Sequence, residues 1–147
     1  GSYAYVANIG NRFKIVNVSD PTDPDEVGTE TLSGLLVSAV NVHVSGNVAA
    51  VVDQVNGLHL VDVSSKSNPQ WQSVTAIAGA FDARLDGSYA YVASISGGLD
   101  IVEIETEAGE LLGRAVVPGQ TVMVEGAPWR EILTGLEEGD RVVLGHE

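Results

Sequence analysis

The chain has 147 residues, no cysteine, and 20 Asp and Glu against 7 Lys and Arg, a formal charge of −13. The length suits one domain with its own core, and the missing cysteines exclude a disulfide framework, a thiolate metal site and a cysteine nucleophile. The acid excess argues against nucleic acid and anionic membrane surfaces, which recruit Lys and Arg, and no apolar run of about 18 residues offers direct membrane insertion.

Self-similarity appears at the first residue. Gly1-Ser2-Tyr3-Ala4-Tyr5-Val6-Ala7 returns letter for letter at Gly87–Ala93, and a weaker copy, Gly-Asn-Val-Ala-Ala-Val-Val, starts at Gly46. The starts lie 45 and 41 residues apart. At a fixed offset a second block follows each: Phe13-Lys14-Ile15-Val16-Asn17-Val18, Leu58-His59-Leu60-Val61-Asp62-Val63 and Leu99-Asp100-Ile101-Val102-Glu103-Ile104. A third block links two copies, Ser19-Asp20-Pro21-Thr22-Asp23-Pro24 and Ser64-Ser65-Lys66-Ser67-Asn68-Pro69.

The blocks are short, rich in Val, Ile, Leu and Tyr, and bounded by Gly, Pro, Asn or Ser, which is strand chemistry. The central unit reads as four strands: Val37 to Val44, Val48 to Asp53, Leu58 to Val63 and Gln70 to Ile77. Turns at Ser45-Gly46-Asn47 and Val55-Asn56-Gly57 and a break at Pro69 separate them. Four antiparallel strands in about 40–45 residues is the period of a propeller blade. Weak alternation, as in Ala49-Ala50-Val51-Val52, fits sheets covered on both faces. A β-sandwich would not ordinarily repeat one strand–turn–strand phrase at fixed offsets.

These blocks resemble the LVIVD repeat. The resemblance covers about residues 1–104 and implies a bacterial or archaeal β-propeller, typically on a secreted or cell-surface protein. It is nearly silent on activity. The chain departs from the pattern where Arg12-Phe13 replaces Gly-Leu, where Lys66 replaces the first Pro, and after Glu105, where the Ser-x-Pro-x-x-Pro phrase is absent.

From Thr106 the phrase changes. Candidate strands are Leu111 to Val117, Thr121 to Glu125, Arg130 to Leu133 and Arg141 to Leu144, with a turn at Glu137-Glu138-Gly139-Asp140. Ile132 to Val143 resembles the end of periplasmic adaptor (membrane fusion) subunits of efflux pumps, where a Gly-Leu-x-x-Gly-Asp-x-Val-Val phrase closes a small β-domain. Neither that family's helical hairpin nor its lipoyl-like halves are present. The division expected is residues 1–105 as propeller repeats and 106–147 as a divergent β tail that completes, caps or extends the array.

Candidate sites are few. Asp20, Asp23 and Asp25, with Glu26, form an acidic loop that could supply oxygen ligands to calcium. The competing reading is turn chemistry, since Asp-Pro pairs initiate turns. No other cofactor is suggested. Asn41, His43, Asp82 and Arg84 fall on the first strand of their units, the strand nearest a propeller's central channel, and could line a ligand mouth. Their bland reading is mutually paired polar groups. His59 aligns with Lys14 and Asp100, so the position reads as tolerant of any polar group. Trp71 reads as a core or seam plug, whereas Trp129, after Pro128 in an expected turn, is the surface-anchor candidate. No nucleophile elbow or phosphate loop occurs, and Glu103 and Glu105 share a strand face that reads as a solvated rim.

The expected architecture is therefore all-β, propeller-like blades of four antiparallel strands in an incomplete or oligomer-completed ring. At about 42 residues per blade, 147 residues give about three and a half blades, fewer than propellers usually hold. A longer polypeptide, a second copy of the chain or a covering tail would each resolve the shortfall. The leading functional reading is a non-enzymatic extracellular, cell-surface or periplasmic module that binds a protein partner or itself. The alternatives are an adaptor-like structural component of an export system and a propeller enzyme acting at its channel mouth.

Overall fold

The computed structural model describes residues 1–8, 10–33, 38–95, 97–107, 110–124 and 127–134, with side chains through 105 and from 111 to 115. Twelve strands run in chain order. They are β1 (Tyr3–Asn8), β2 (Arg12–Asn17), β3 (Asp25–Thr31), β4 (Ala39–Ser45), β5 (Val48–Asp53), β6 (Gly57–Asp62), β7 (Gln70–Thr75), β8 (Ala80–Asp86), β9 (Tyr89–Ser94), β10 (Gly98–Glu107), β11 (Glu110–Val124) and β12 (Ala127–Thr134). They form three antiparallel meanders, β1-β2-β3, β4-β5-β6-β7 and β8-β9-β10-β11-β12.

The repeat in the letters is a repeat in the hydrogen bonds. The bond from Val18 N–H to the Ser2 carbonyl recurs as Val63 to Asn47 and Ile104 to Ser88. Gln54 to Ser38 recurs as Ile95 to Gly79. The β4–β5 register slips between Ala39 and Asn41, and the β8–β9 register slips at the equivalent Ala80 and Asp82. The β2–β3 and β6–β7 ladders share another slip, at Ile15/Val16 and Leu60/Val61. Gly46 and Gly87 take φ of +57° and +56° as the first residue of two-residue hairpin turns, a conformation that costs glycine least.

The sheets stack face to face. One buried cluster joins the first sheet to the second through Phe13, Ile15, Leu32, Ala49, Val51 and Val63. The other joins the second to the third through Val52, Leu58, Leu60, Ala83, Val92 and Val102. β5 and β6 of the second sheet, which contribute to both clusters, thus carry apolar residues on both faces, which explains their weak alternation. Tyr5 stacks on Phe13 with centroids 6.2 Å apart, and the Lys66 ammonium lies 5.7 Å from the centre of the Tyr5 ring. The lysine that departs from the repeat pattern thus reaches across the first seam as a cation–π contact.

Two expectations change. Leu111–Val117 and Thr121–Glu125 are not separate strands: β11 runs through both, as the fourth strand of the third sheet. Pro118 lacks an N–H, so the β11–β12 ladder shifts register at Val117, Pro118 and Thr121 without ending. Trp129 is not in a turn. Its backbone pairs with Val122 inside the β11–β12 hairpin, with Pro128 opposite Met123. Its side chain, Val37, the turn at 137–140 and the strand expected at 141–144 lie outside the described residues.

In the first copy, where Arg12 stands at the offset of Gly57 and Gly98, the left-handed backbone moves one residue earlier, to Asn11 at φ +65°. Asparagine tolerates that region better than other non-glycine residues.

Candidate functional site

The polar residues inside the blades form one recurring device. The second strand of each unit ends on Asn8, Asp53 or Ser94, and the third carries Lys14, His59 or Asp100 six residues later. In the middle blade both residues are fully buried. Asp53 Oδ1 accepts the N–H groups of Val55 and Asn56, 2.7 and 2.8 Å away, and Oδ2 accepts that of Ser38 at 2.7 Å. One carboxylate thereby holds both the β5–β6 turn and the approach to β4. In the third blade Ser94 Oγ accepts the Gly97 N–H and donates to Asp100. In the first, the Lys14 ammonium turns to Glu26 instead.

His59 completes the middle device. Trp71 Nε1–H donates to its Nδ1 at 3.2 Å. Nδ1 is therefore the acceptor, which places the ring proton on Nε2. That atom lies 3.9 Å from Asp53 Oδ2 and has no hydrogen-bond partner. Burial pushes the His59 pKa down, against the opposing pull of the Asp53 charge. Protonating Nδ1 would also set two donors against each other at Trp71. A depressed folded-state pKa means that the unfolded chain takes up the proton first as pH falls. The stabilisation is full above the ordinary value near 6.5 and declines below it. The urea midpoint should fall between about pH 7 and about pH 5.5, and His59→Gln should flatten that fall. The tolerant position of the sequence reading is thus a buried, specifically paired one.

The channel candidates divide. β4 and β8 lie side by side, and His43 joins them by accepting the Leu85 N–H on Nδ1 at 3.1 Å. That bond gives His43 a structural role between sheets. Arg84 donates to Asp82 at 2.8 Å and to the Ala83 carbonyl at 2.7 Å, its side chain largely exposed. Asn41 does not join that pair. It lines an open recess of about 320 Å³ with Tyr5, Val6, Ala7, Val40 and Val42, between β1 and β4.

The acidic loop is built as a turn. Asp20 Oδ1 accepts the Thr22 N–H at 2.9 Å and the Thr22 hydroxyl at 2.6 Å, and the Asp23 N–H reaches the Asp20 carbonyl. The Thr22 hydroxyl, then its N–H, hold the Asp20 carboxyl below its usual range. Among the described residues no three His, Asp or Glu side chains are spaced to hold a metal, so Asp20, Asp23 and Asp25 do not converge. Glu103 and Glu105 are each paired, accepting from the Tyr89 hydroxyl and from Arg114.

The feature that sequence reasoning missed is the recess. In the second and third sheets the strands equivalent to β1, β5 and β9, each have an inner neighbour, β4 and β8. In the first sheet, among the described residues, β1 is itself the edge. The exact match of Gly1–Ala7 to Gly87–Ala93 already reads Tyr3–Asn8 as the second strand of its unit; the recess beside it depends on how β1 packs on β4.

Stacked antiparallel meanders of one sequence pattern, with no helix among the described residues, define a propeller-like repeat protein. The LVIVD repeat family model matches residues 1–31, 38–74 and 79–105, and the chain belongs to that family. No curated protein matches the chain.

Proposed function

We propose that the chain is a non-enzymatic interaction module of a secreted, cell-surface or periplasmic protein, and that it binds an extended segment of a partner polypeptide along β1. The observation that carries this is β1, which among the described residues pairs only with β2, beside an open recess lined by Tyr5, Val6, Ala7, Val40, Asn41 and Val42. Unpaired strand edges accept an added strand through main-chain hydrogen bonds, and neighbouring pockets select side chains. Membership of the LVIVD family supports the extracytoplasmic setting, since such repeats typically occur on secreted and surface proteins.

The repeat specifies the kind of segment that fits. On β9, the strand β8 places Ala83 opposite Val92 and Leu85 opposite Ala90. Carried to the first sheet, a segment of that type sets its alanine opposite Val6 and its leucine opposite Ala4. A labelled peptide with the sequence of residues 80–86, titrated into the full chain, tests this by fluorescence anisotropy. It should bind saturably, and the same peptide with proline at the position of Ala83 should not. Equal behaviour of the two peptides, or no binding by either, would overturn the reading.

A further inference from the structure

The three sheets meet by one rule, and at the two ends of the stack that rule is unmet. Val6, Val51 and Val92 are equivalent residues on the second strand of each unit. Phe13, Leu58 and Leu99 are equivalent residues near the start of the third. Phe13 and Val51 share the cluster that joins the first two sheets, and Leu58 and Val92 share the one that joins the last two. All four are 0 % exposed. The remaining members of the two sets are open: Val6 is 41 % exposed and Leu99 58 %.

Their surroundings follow suit. Ala4, Val16 and Val18 flank Val6 and are only half-buried, whereas their equivalents Ala49, Val61 and Val63 are fully buried. On the face of Leu99, Tyr91, which pairs with Ile101, is exposed where its equivalent Ala50 is not. One end of the stack thus presents the leucine side of the seam and the other end the valine side. Exposed apolar residues of this kind, beside the charged Arg84 and Glu103 of the same face, mark an association site.

We propose that the open face of the third sheet packs on the open face of the first sheet of a second copy, and that two chains close head to tail into one ring. The contact joins two different surfaces, so it is heterologous and ends only where the rotation closes. The described residues form three sheets, and two such sets side by side give six, within the about four to eight blades that propellers hold.

Analytical ultracentrifugation of the full chain and two variants tests this. Leu99→Asp and Val6→Lys each alter an exposed position, so each should keep the circular dichroism spectrum of the parent. The parent should sediment at twice the chain mass and each variant alone at the chain mass, because either variant ring would carry two damaged contacts. Mixing the variants should restore the dimer, since a mixed ring holds one native contact and one Asp–Lys contact. A parent at the chain mass would overturn the proposal and leave the face to another cover, such as residues 135–147. Growing heavier species would overturn ring closure, and variants that stay dimeric or do not recombine would overturn the head-to-tail contact.

Discussion

Replacing Gly57 with alanine should cost about 3 kcal/mol or more of unfolding free energy, read as a lower urea midpoint at unchanged slope. Two effects combine. The backbone at Gly57 has φ +108°, which side chains rarely adopt, and an added Cβ would lie 2.2 Å from the Thr75 carbonyl oxygen and 2.4 Å from the Ile77 nitrogen. Both neighbours are backbone, so no rotamer change relieves the contact. Moving them would pull the end of β7 from β6, where Thr75 pairs with Leu58. Gly98 at the same repeat position supplies the control. It also has positive φ, at +75°, but open space around its missing Cβ. Gly98→Ala should therefore cost only about 1 kcal/mol, the conformational part alone. Equal losses at the two sites would show that the close approach at Gly57 contributes nothing.

The second large effect is at Asp53. Removing its carboxylate in Asp53→Ala leaves the N–H groups of Ser38, Val55 and Asn56 without this acceptor. Each buried donor left unpaired costs about 1–3 kcal/mol, so a total of about 3–5 kcal/mol is expected after partial rehydration of the turn. That is a large share of the roughly 5–15 kcal/mol by which a domain is stable. Ser94→Ala in the third blade removes one acceptor, for the Gly97 N–H, and should cost about 1 kcal/mol. Asn8 in the first blade is exposed, and Asn8→Ala should stay within about 0.5 kcal/mol. The same strand position thus carries three graded costs, set by burial and by the number of donors served. Denaturant unfolding of the three variants measures the gradient, and a flat series would contradict this role for the carboxylate.

The repeat made much of the fold legible. Strand identity, the hairpin glycines and the meander follow from short blocks at fixed offsets, because each blade solves the same packing problem. The loop at Asp20 was readable as turn chemistry for the same reason: its Asp-x-x-Asp spacing and that of Ser65-x-x-Asn68 form the same backbone turn. What stayed hidden depends on contacts between strands. His59 looked interchangeable because its equivalents are Lys14 and Asp100. Its partners Asp53 and Trp71 come from β5 and β7, and only the folded sheet brings them to it. His43 was read either as a channel residue or as a paired polar group, and its partner, a backbone amide 42 residues away in the next sheet, could not be named from the sequence. The tail misled where one strand was read as two, Leu111 to Val117 and Thr121 to Glu125, since the missing donor of Pro118 between them is absorbed as a register shift. The residues that end the second strands pointed to this device and were not aligned with the third-strand set. Asn8, Asp53 and Ser94 recur at one offset and Lys14, His59 and Asp100 at another.

Amide hydrogen exchange along three equivalent strands tests the central claim, that β1 is an open acceptor edge, most directly. Among the described residues β5 and β9 sit between two neighbours, whereas β1 has one. In the chain alone, the amides of β1 should exchange much faster than those of β5 and β9. Adding the peptide of residues 80–86 should slow β1 toward the rate of the other two and leave them unchanged. A β1 already as slow as β5 and β9 without peptide, or one that stays fast at saturating peptide, would contradict the account.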